Sequence, residues 1–257
     1  MARVVAVANQ KGGVAKTTTA ISVAAALVEQ GKRTLVVDVD GQACATFSLG
    51  VDPEDLAAEE SSACLFTSVD AQERARSLRR IIRPTDDGMH LVPATVDLAA
   101  ADFMLASQDG RERVLADALE AIDDDYDFII IDCSPSLGLM TINALMAADE
   151  VLVPLKCETL SHRGLGQLME TIGEVRRWGN PHIRVAGVLP TIFDGRTSHA
   201  QAVLADLGPR YGVRVFDPIP RSIRFAEAPA VGRTIMATSP RSAGARAYRA
   251  LAQALLD

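Results

Sequence analysis

Asn9-Gln10-Lys11-Gly12-Gly13-Val14-Ala15-Lys16-Thr17-Thr18-Thr19 is the stretch whose chemistry decides the fold. It follows Arg3–Ala8, an apolar, β-branched run that reads as a buried strand. It leads into Lys16–Gln30, rich in helix formers and stopped by Gly31. Strand, glycine-rich turn and a helix opening on Lys-Thr-Thr are the setting of a phosphate-binding loop. Small residues let backbone N–H groups converge on phosphate oxygens, and the helix N-terminus adds a partial positive charge. Gly12, Gly13, Val14 and Ala15 would supply that backbone. Lys16 would lie across the β- and γ-phosphates of ATP, the Thr17 hydroxyl would ligate Mg²⁺, and Thr18 would donate to the α-phosphate. The pattern G-x-x-x-x-G-K-[ST] is not met strictly: Gln10 and Ala15 stand at its two glycines.

Outward from the loop, apolar strand-like runs alternate with helix-like ones. Strands are expected at Arg33–Val39, Met89–Pro93, Phe128–Ile131, Val151–Leu155, Arg184–Leu189 and Val213–Phe216. Helices are expected at Val96–Ala106, Arg111–Ala121, Leu139–Ala147, His162–Trp178, Ser198–Leu207 and Ser242–Leu256. Fully apolar strands between helices predict an α/β fold: a mostly parallel twisted sheet flanked by helices on both faces, as in P-loop NTPases. Ligands of such sheets bind at the carboxyl ends of the strands. With no repeat, low-complexity tract or linker in the sequence, residues 1–257 read as a single domain. Arg74–Arg83 is locally basic and Asp123–Asp127 locally acidic, and both read as solvated faces.

Two acidic motifs follow. Leu35-Val-Val-Asp38-Val-Asp40-Gly41-Gln42 ends the second strand, with Asp38 and Asp40 on one face. Phe128-Ile-Ile-Ile-Asp132-Cys133-Ser134-Pro135 is an apolar strand ending in aspartate, the Walker B form, in which the carboxylate holds Mg²⁺ through water.

The arrangement Lys11-Gly12-Gly13-Val14-x-Lys16-Thr17-Thr18 resembles the deviant Walker A motif of the ParA/MinD group. Four later stretches extend the likeness to the ParA/Soj partition ATPases over most of the chain: Leu137–Leu145, Ala148–Pro154, Pro190–Thr197 and Pro218–Pro229. The resemblance implies that Lys11 reaches the partner subunit's nucleotide in an ATP-dependent homodimer. It also implies that Asp40 orients the attacking water and that Asp38 lies near the Mg²⁺ hydration shell. Lys11, Lys16 and Asp40 are then the catalytic set. It places adenine between the two later motifs, with Pro218 and Pro220 as base contacts and Thr191 and Asp194 lining the approach. Arginines matching Arg196, Arg221 and Arg224 are implied to bind double-stranded DNA without sequence preference, and a ParB-like partner to stimulate hydrolysis. The family carries glycine at the position of Ala15, proline at Gly41 and proline at Ser134.

Bulk composition fits these expectations. The chain has 257 residues, 48% hydrophobic and 23% charged, and a net charge of −7. From Arg184 onward ten arginines face five acids, so a local polyanion-binding face is compatible with an acidic chain. Cys44, Cys64, Cys133 and Cys157 form no C-x-x-C pair, and the four histidines have no ligand spacing, which argues against an iron–sulfur carrier. There is no signal-peptide pattern and no membrane-spanning run, so a cytoplasmic, nucleoid-associated location is expected. A MinD-like membrane regulator would need a basic amphipathic C-terminus, whereas Tyr248–Asp257 carries one basic residue. A nucleotide-switch scaffold for a cargo other than DNA remains the alternative, to be separated by turnover and salt-sensitive DNA binding.

Overall fold

The computed structural model describes residues 1–68, 70–158 and 161–257. Seven strands form one sheet: β1 (Arg3–Val7), β2 (Thr34–Val39), β3 (Arg83–Pro84), β4 (His90–Val92), β5 (Phe128–Cys133), β6 (Glu150–Lys156) and β7 (Arg184–Thr191). Their spatial order is β3-β4-β2-β5-β1-β6-β7. The pairings are parallel except β3 on β4, so the expected architecture is present.

Helices α1 (Lys16–Glu29), α2 (Cys44–Ser48), α3 (Ala63–Thr67), α4 (Ala71–Ile81), α5 (Leu98–Leu105) and α6 (Val114–Glu120) occupy the first half. The second half holds α7 (Leu139–Ala147), α8 (Ser161–Trp178), α9 (Ser198–Tyr211), α10 (Arg224–Glu227), α11 (Ile235–Thr238) and α12 (Ala243–Leu256).

Strand alternation splits the core in two. Val5, Val7, Val36 and Ile130 pack with α1 and α12, while Val4, Ala6, Leu35, Val37, Ile129 and Ile131 pack with α3 to α9. Both faces of the central strands are therefore covered, which is why their sequences are apolar without alternation. Helix α1 is buried almost all round, as its Ala-Ile-Ser-Val-Ala-Ala-Ala-Leu run requires. Its Thr19 hydroxyl hydrogen-bonds the Tyr248 hydroxyl of α12 at 3.0 Å, tying the first helix to the last.

The structure corrects the sequence in one place and adds detail to two solvated segments. Val213–Phe216 is not a strand of the sheet: one bridge, Val188 to Val215, forms where Gly187 (φ 156) lets the chain pack against Phe216. Arg74–Arg83 falls largely within α4, capped by the Asp70 carboxylate on the Glu73 N–H, with Leu78 and Ile81 buried. Asp123–Asp127 is a set of structural acceptors: Asp123 takes the Ala2 N–H, and Asp127 takes the backbone and guanidinium of Arg33.

One tertiary contact joins segments far apart in sequence. Gly50, just past α2, and Gly232, which closes the 3₁₀ turn Ala228–Val231 after α10, meet backbone to backbone, both left-handed (φ 86 and 65). A Cβ on Gly232 would lie 2.7 Å from the Gly50 Cα.

Candidate nucleotide site

The site lies at the carboxyl ends of β1, β2 and β5, with β6 and β7 closing one side. Residues 8–15 connect β1 to α1. Asn9, buried, pins the loop: its side-chain amide donates to the Pro154 carbonyl at 2.7 Å, and its oxygen accepts the Lys11 N–H at 2.9 Å. Sequence reading passed over Asn9, although a buried amide before a glycine-rich turn is a local signal. From β7, the Thr191 hydroxyl donates to the Val14 carbonyl at 2.9 Å. The loop is thus held from β6 and from β7.

Gly13 (φ 67) and Ala15 (φ 64, ψ 38) are both left-handed, and Ala15 is the N-cap of α1. An L residue there costs about 1–2 kcal/mol relative to its right-handed form. Lys16 begins α1 nearly buried, and its ammonium donates to the Lys11 carbonyl at 3.2 Å. Burial pushes the Lys16 pKa down, while Asp132, Cys133 and Asp40 pull it back up. Lys11 has its ammonium 2.6 Å from Glu158, at the mouth of the site.

Asp38 and Asp132 are register partners on β2 and β5, both fully buried. The Asp38 carboxylate accepts from the Thr46 N–H (2.9 Å), the Thr46 hydroxyl (2.7 Å) and the Asp40 N–H (3.1 Å). Burial raises its pKa to about 6 against the pull of the Thr46 bonds. Neither oxygen of Asp132 has a hydrogen-bond partner among the described residues. Its pKa is pushed well up by burial and then by Asp38, with the nearby Thr17 hydroxyl and Lys16 offsetting part of the effect. Asp40 stands half-buried on the following turn, its carboxylate accepting the Gln42 N–H at 3.1 Å.

Beside the loop opens a cavity of about 410 Å³ lined by Gly13, Ala15, Thr18 and Thr191 and, across from them in the chain, by Ile192, Ile219–Ser222, Phe225, Ala226 and Tyr248. Of the residues expected around adenine, Thr191 and Pro220 line it; Pro218 and Asp194 do not. Asp194 instead forms a two-pronged ion pair with Arg196 (2.6 and 2.8 Å), which holds its carboxyl well below the usual range. Tyr248 was not legible as a site residue, because only the fold brings α12 to the loop; Ile192 and Phe225 lie in the Pro190–Thr197 and Pro218–Pro229 stretches but were not singled out there.

A bridge between Phe193 and Pro220 joins the two arginine-bearing segments. Arg221 lines the cavity, and Arg224 is exposed with its guanidinium 2.9 Å from Glu227. A larger opening of about 480 Å³, around Arg33, Arg79, His90 and Tyr126, lies at the opposite, amino end of the strands, away from these groups.

Among the described residues no helix is long and apolar enough to cross a membrane. A profile of the AAA domain family matches residues 2–185. The chain is 44% identical to the chromosome-partitioning ATPase Soj of Thermus thermophilus over 255 residues, covering 99% of this chain and 95% of Soj. It is 41% identical to the chromosome partitioning protein ParA of Myxococcus xanthus over 256 residues, covering 99% and 88%. Among solved structures, one named cobyrinic acid a,c-diamide synthase from Mycobacterium smegmatis, with bound ADP and magnesium, is 47% identical over 100% of this chain and 94% of that one, with a TM-score of 0.83. Two-lysine phosphate loop, paired strand-end aspartates and full-length likeness converge on one assignment: the chain belongs to the ParA/Soj family of partitioning P-loop ATPases.

Proposed function

We propose that this protein, acting as one domain, is an ATP-driven switch that dimerises on ATP, binds DNA without sequence preference as a dimer, and lets go after hydrolysis. Gly12–Thr18 bind the phosphates through backbone N–H groups and the Thr18 hydroxyl, and Lys16 neutralises β/γ charge. The nucleoside lies in the cavity beside them. The orphaned, buried carboxylate of Asp132 and the Thr17 hydroxyl form an all-oxygen donor set that fits Mg²⁺. Among the described residues no cluster of three or more His, Cys, Asp or Glu could cage a metal, which suits an ion held mainly through water and phosphate. Mg²⁺ would supply charge neutralisation of the transferred phosphoryl group. Asp38, locked by Thr46, sets the β2 end; Asp40, on the turn that follows, would hold the attacking water. Lys11, paired with Glu158 at the mouth of the site, would leave that pair to reach a second copy's nucleotide. A ParB-like partner stimulates the hydrolysis, and ADP is left.

One observation carries the switch: Arg221 lines the nucleotide cavity and lies on the same segment as the exposed Arg224. Nucleotide and polyanion would therefore act on one piece of chain. Phosphate-directed contacts from Arg196, Arg221 and Arg224 give salt-sensitive binding. The test is DNA binding by the wild type and Arg224→Glu with ATP, ADP and no nucleotide over a salt series. Binding that requires ATP, weakens with salt and disappears in the variant is expected. ATP-dependent dimers that never bind DNA would replace the partition mechanism by a scaffold, or a MinD-like regulator, acting on another cargo. The name of the M. smegmatis structure favours a second possibility, a synthase. Turnover stimulated by a cobyrinate, and not by DNA with a DNA-bound partner, would select it.

A further inference from the structure

Among the described residues three that are not glycine have left-handed backbones: Ala15 (φ 64), Ala43 (φ 51) and Ile192 (φ 51). All three stand around the nucleotide site, before α1, before α2 and just after β7. Ile192 is the most demanding, because a β-branched residue in this region is a steric outlier. The backbone leaves it little choice. The Ile219 N–H donates to the Pro190 carbonyl at 2.8 Å on one side of it. On the other side the Phe193 N–H donates to the Ile219 carbonyl at 3.0 Å, and the Arg221 N–H to the Phe193 carbonyl at 3.2 Å. Glycine or asparagine would occupy this position without comparable strain.

The residue is 38% exposed, and it lines the cavity with Pro220 and Phe225. An apolar surface held by strained backbone, and left uncovered in a cavity next to a phosphate loop, calls for a ligand group that covers it. The cavity continues from Gly13, Ala15 and Thr18, so the covering group is attached to the anchored phosphates. We propose that Ile192 is an apolar wall against which the nucleoside of a bound nucleotide packs, and that its left-handed backbone holds the side chain in the cavity for that contact. This rests on the nucleotide reading above and gives a role to a residue that lies within the Pro190–Thr197 stretch but had none assigned.

The test compares ATP with tripolyphosphate, which offers the phosphates without a nucleoside. Binding of both is measured by calorimetry for the wild type, Ile192→Gly, Ile192→Asn and Ile192→Val, with the Tm of each free protein. Ile192→Gly and Ile192→Asn should bind ATP roughly tenfold more weakly or worse, given what one missing apolar contact is worth in a fitted pocket. Tripolyphosphate affinity should not change. Their Tm should hold or rise by about 2–4 °C as strain is released, and Ile192→Val should restore most of the ATP affinity. Unchanged ATP affinity in both variants overturns the assignment. So does a parallel loss of tripolyphosphate, which would mean that the phosphate loop itself had been disturbed. A wild type that binds tripolyphosphate and ATP equally overturns it as well. If the wild type binds neither, the nucleotide site itself fails.

Discussion

Asp38 and Asp132 sit side by side at the ends of β2 and β5, in register, the same residue type and equally buried. Their surroundings differ completely. Asp38 accepts three hydrogen bonds, two of them from Thr46; Asp132 accepts none among the described residues. A buried carboxylate with partners is part of the framework. One without partners is tolerated because something else completes it. The difference teaches that neighbouring acids of one motif set can divide the work between them. Asp38 braces the loop that carries Asp40, and Asp132 is left without a hydrogen-bond partner among the described residues, as the proposed magnesium role requires.

The largest effect should come from Thr46→Val. The Thr46 hydroxyl donates to Asp38 and accepts the Ala94 N–H at 2.8 Å, so both would lose a buried partner. We expect a loss of about 2–4 kcal/mol, read as a Tm at least about 5 °C lower. A silent substitution would contradict the bracing role. Asp132→Asn should separate stability from activity. Without ligand it should melt higher than the wild type at neutral pH, because the cost of burying an ionisable carboxyl without a partner is removed. Magnesium-dependent turnover should nevertheless fall about 10- to 100-fold. A lower Tm together with intact turnover would show that Asp132 is structural.

The pH response follows from the direction of both shifts. Each folded pKa is raised above the unfolded value, so the folded protein binds the extra proton more readily. The destabilising contribution of each group is absent below the unfolded pKa, near 4, and complete above the folded one. For Asp38 that window ends near 6; for Asp132 it extends upward. The free protein should therefore gain stability on going from pH 7.5 to 5.5, by about 1 kcal/mol from Asp38 alone. With Mg²⁺ and ADP bound, the Asp132 share should vanish or reverse. Chemical denaturation at the two pH values, with and without ligand, measures it. The smallest effects concern the residues that start α1 and α2, which are both left-handed alanines. Ala15→Gly and Ala43→Gly should each stabilise the free protein by up to about 1 kcal/mol. A loss in either would mean that its methyl group packs usefully.

Much of this was legible in the sequence. The phosphate loop, the apolar strands and the strand-end aspartates are local patterns, and local patterns survive folding. Arg3–Ala8 and Phe128–Ile131 read as strands because both of their faces are buried. Val213–Phe216 misled because a β-branched run carries strand character even where a bulge at Gly187 permits only one bridge. Helix α4 was hidden because its surface is charged and only Leu78 and Ile81 are buried. In the site, Asp38 and Asp132 could be paired by motif, but nothing in their own motifs foretold that Thr46 would satisfy one and leave the other open. Phe225 and Tyr248 stack edge to face at 5.8 Å beside the cavity, a contact that no local pattern encodes.

The meeting of Gly50 and Gly232 has a mechanical consequence. Most contacts between segments pass through side chains, which rotate and absorb small displacements. Here backbone bears on backbone, and there is nothing to compress. Helix α2, which follows the Asp40 turn, and the segment from Arg224 to Gly232 are therefore riveted at this point. A shift of α2 toward that segment cannot be cushioned; it must be taken up as a movement of the chain that carries Arg224.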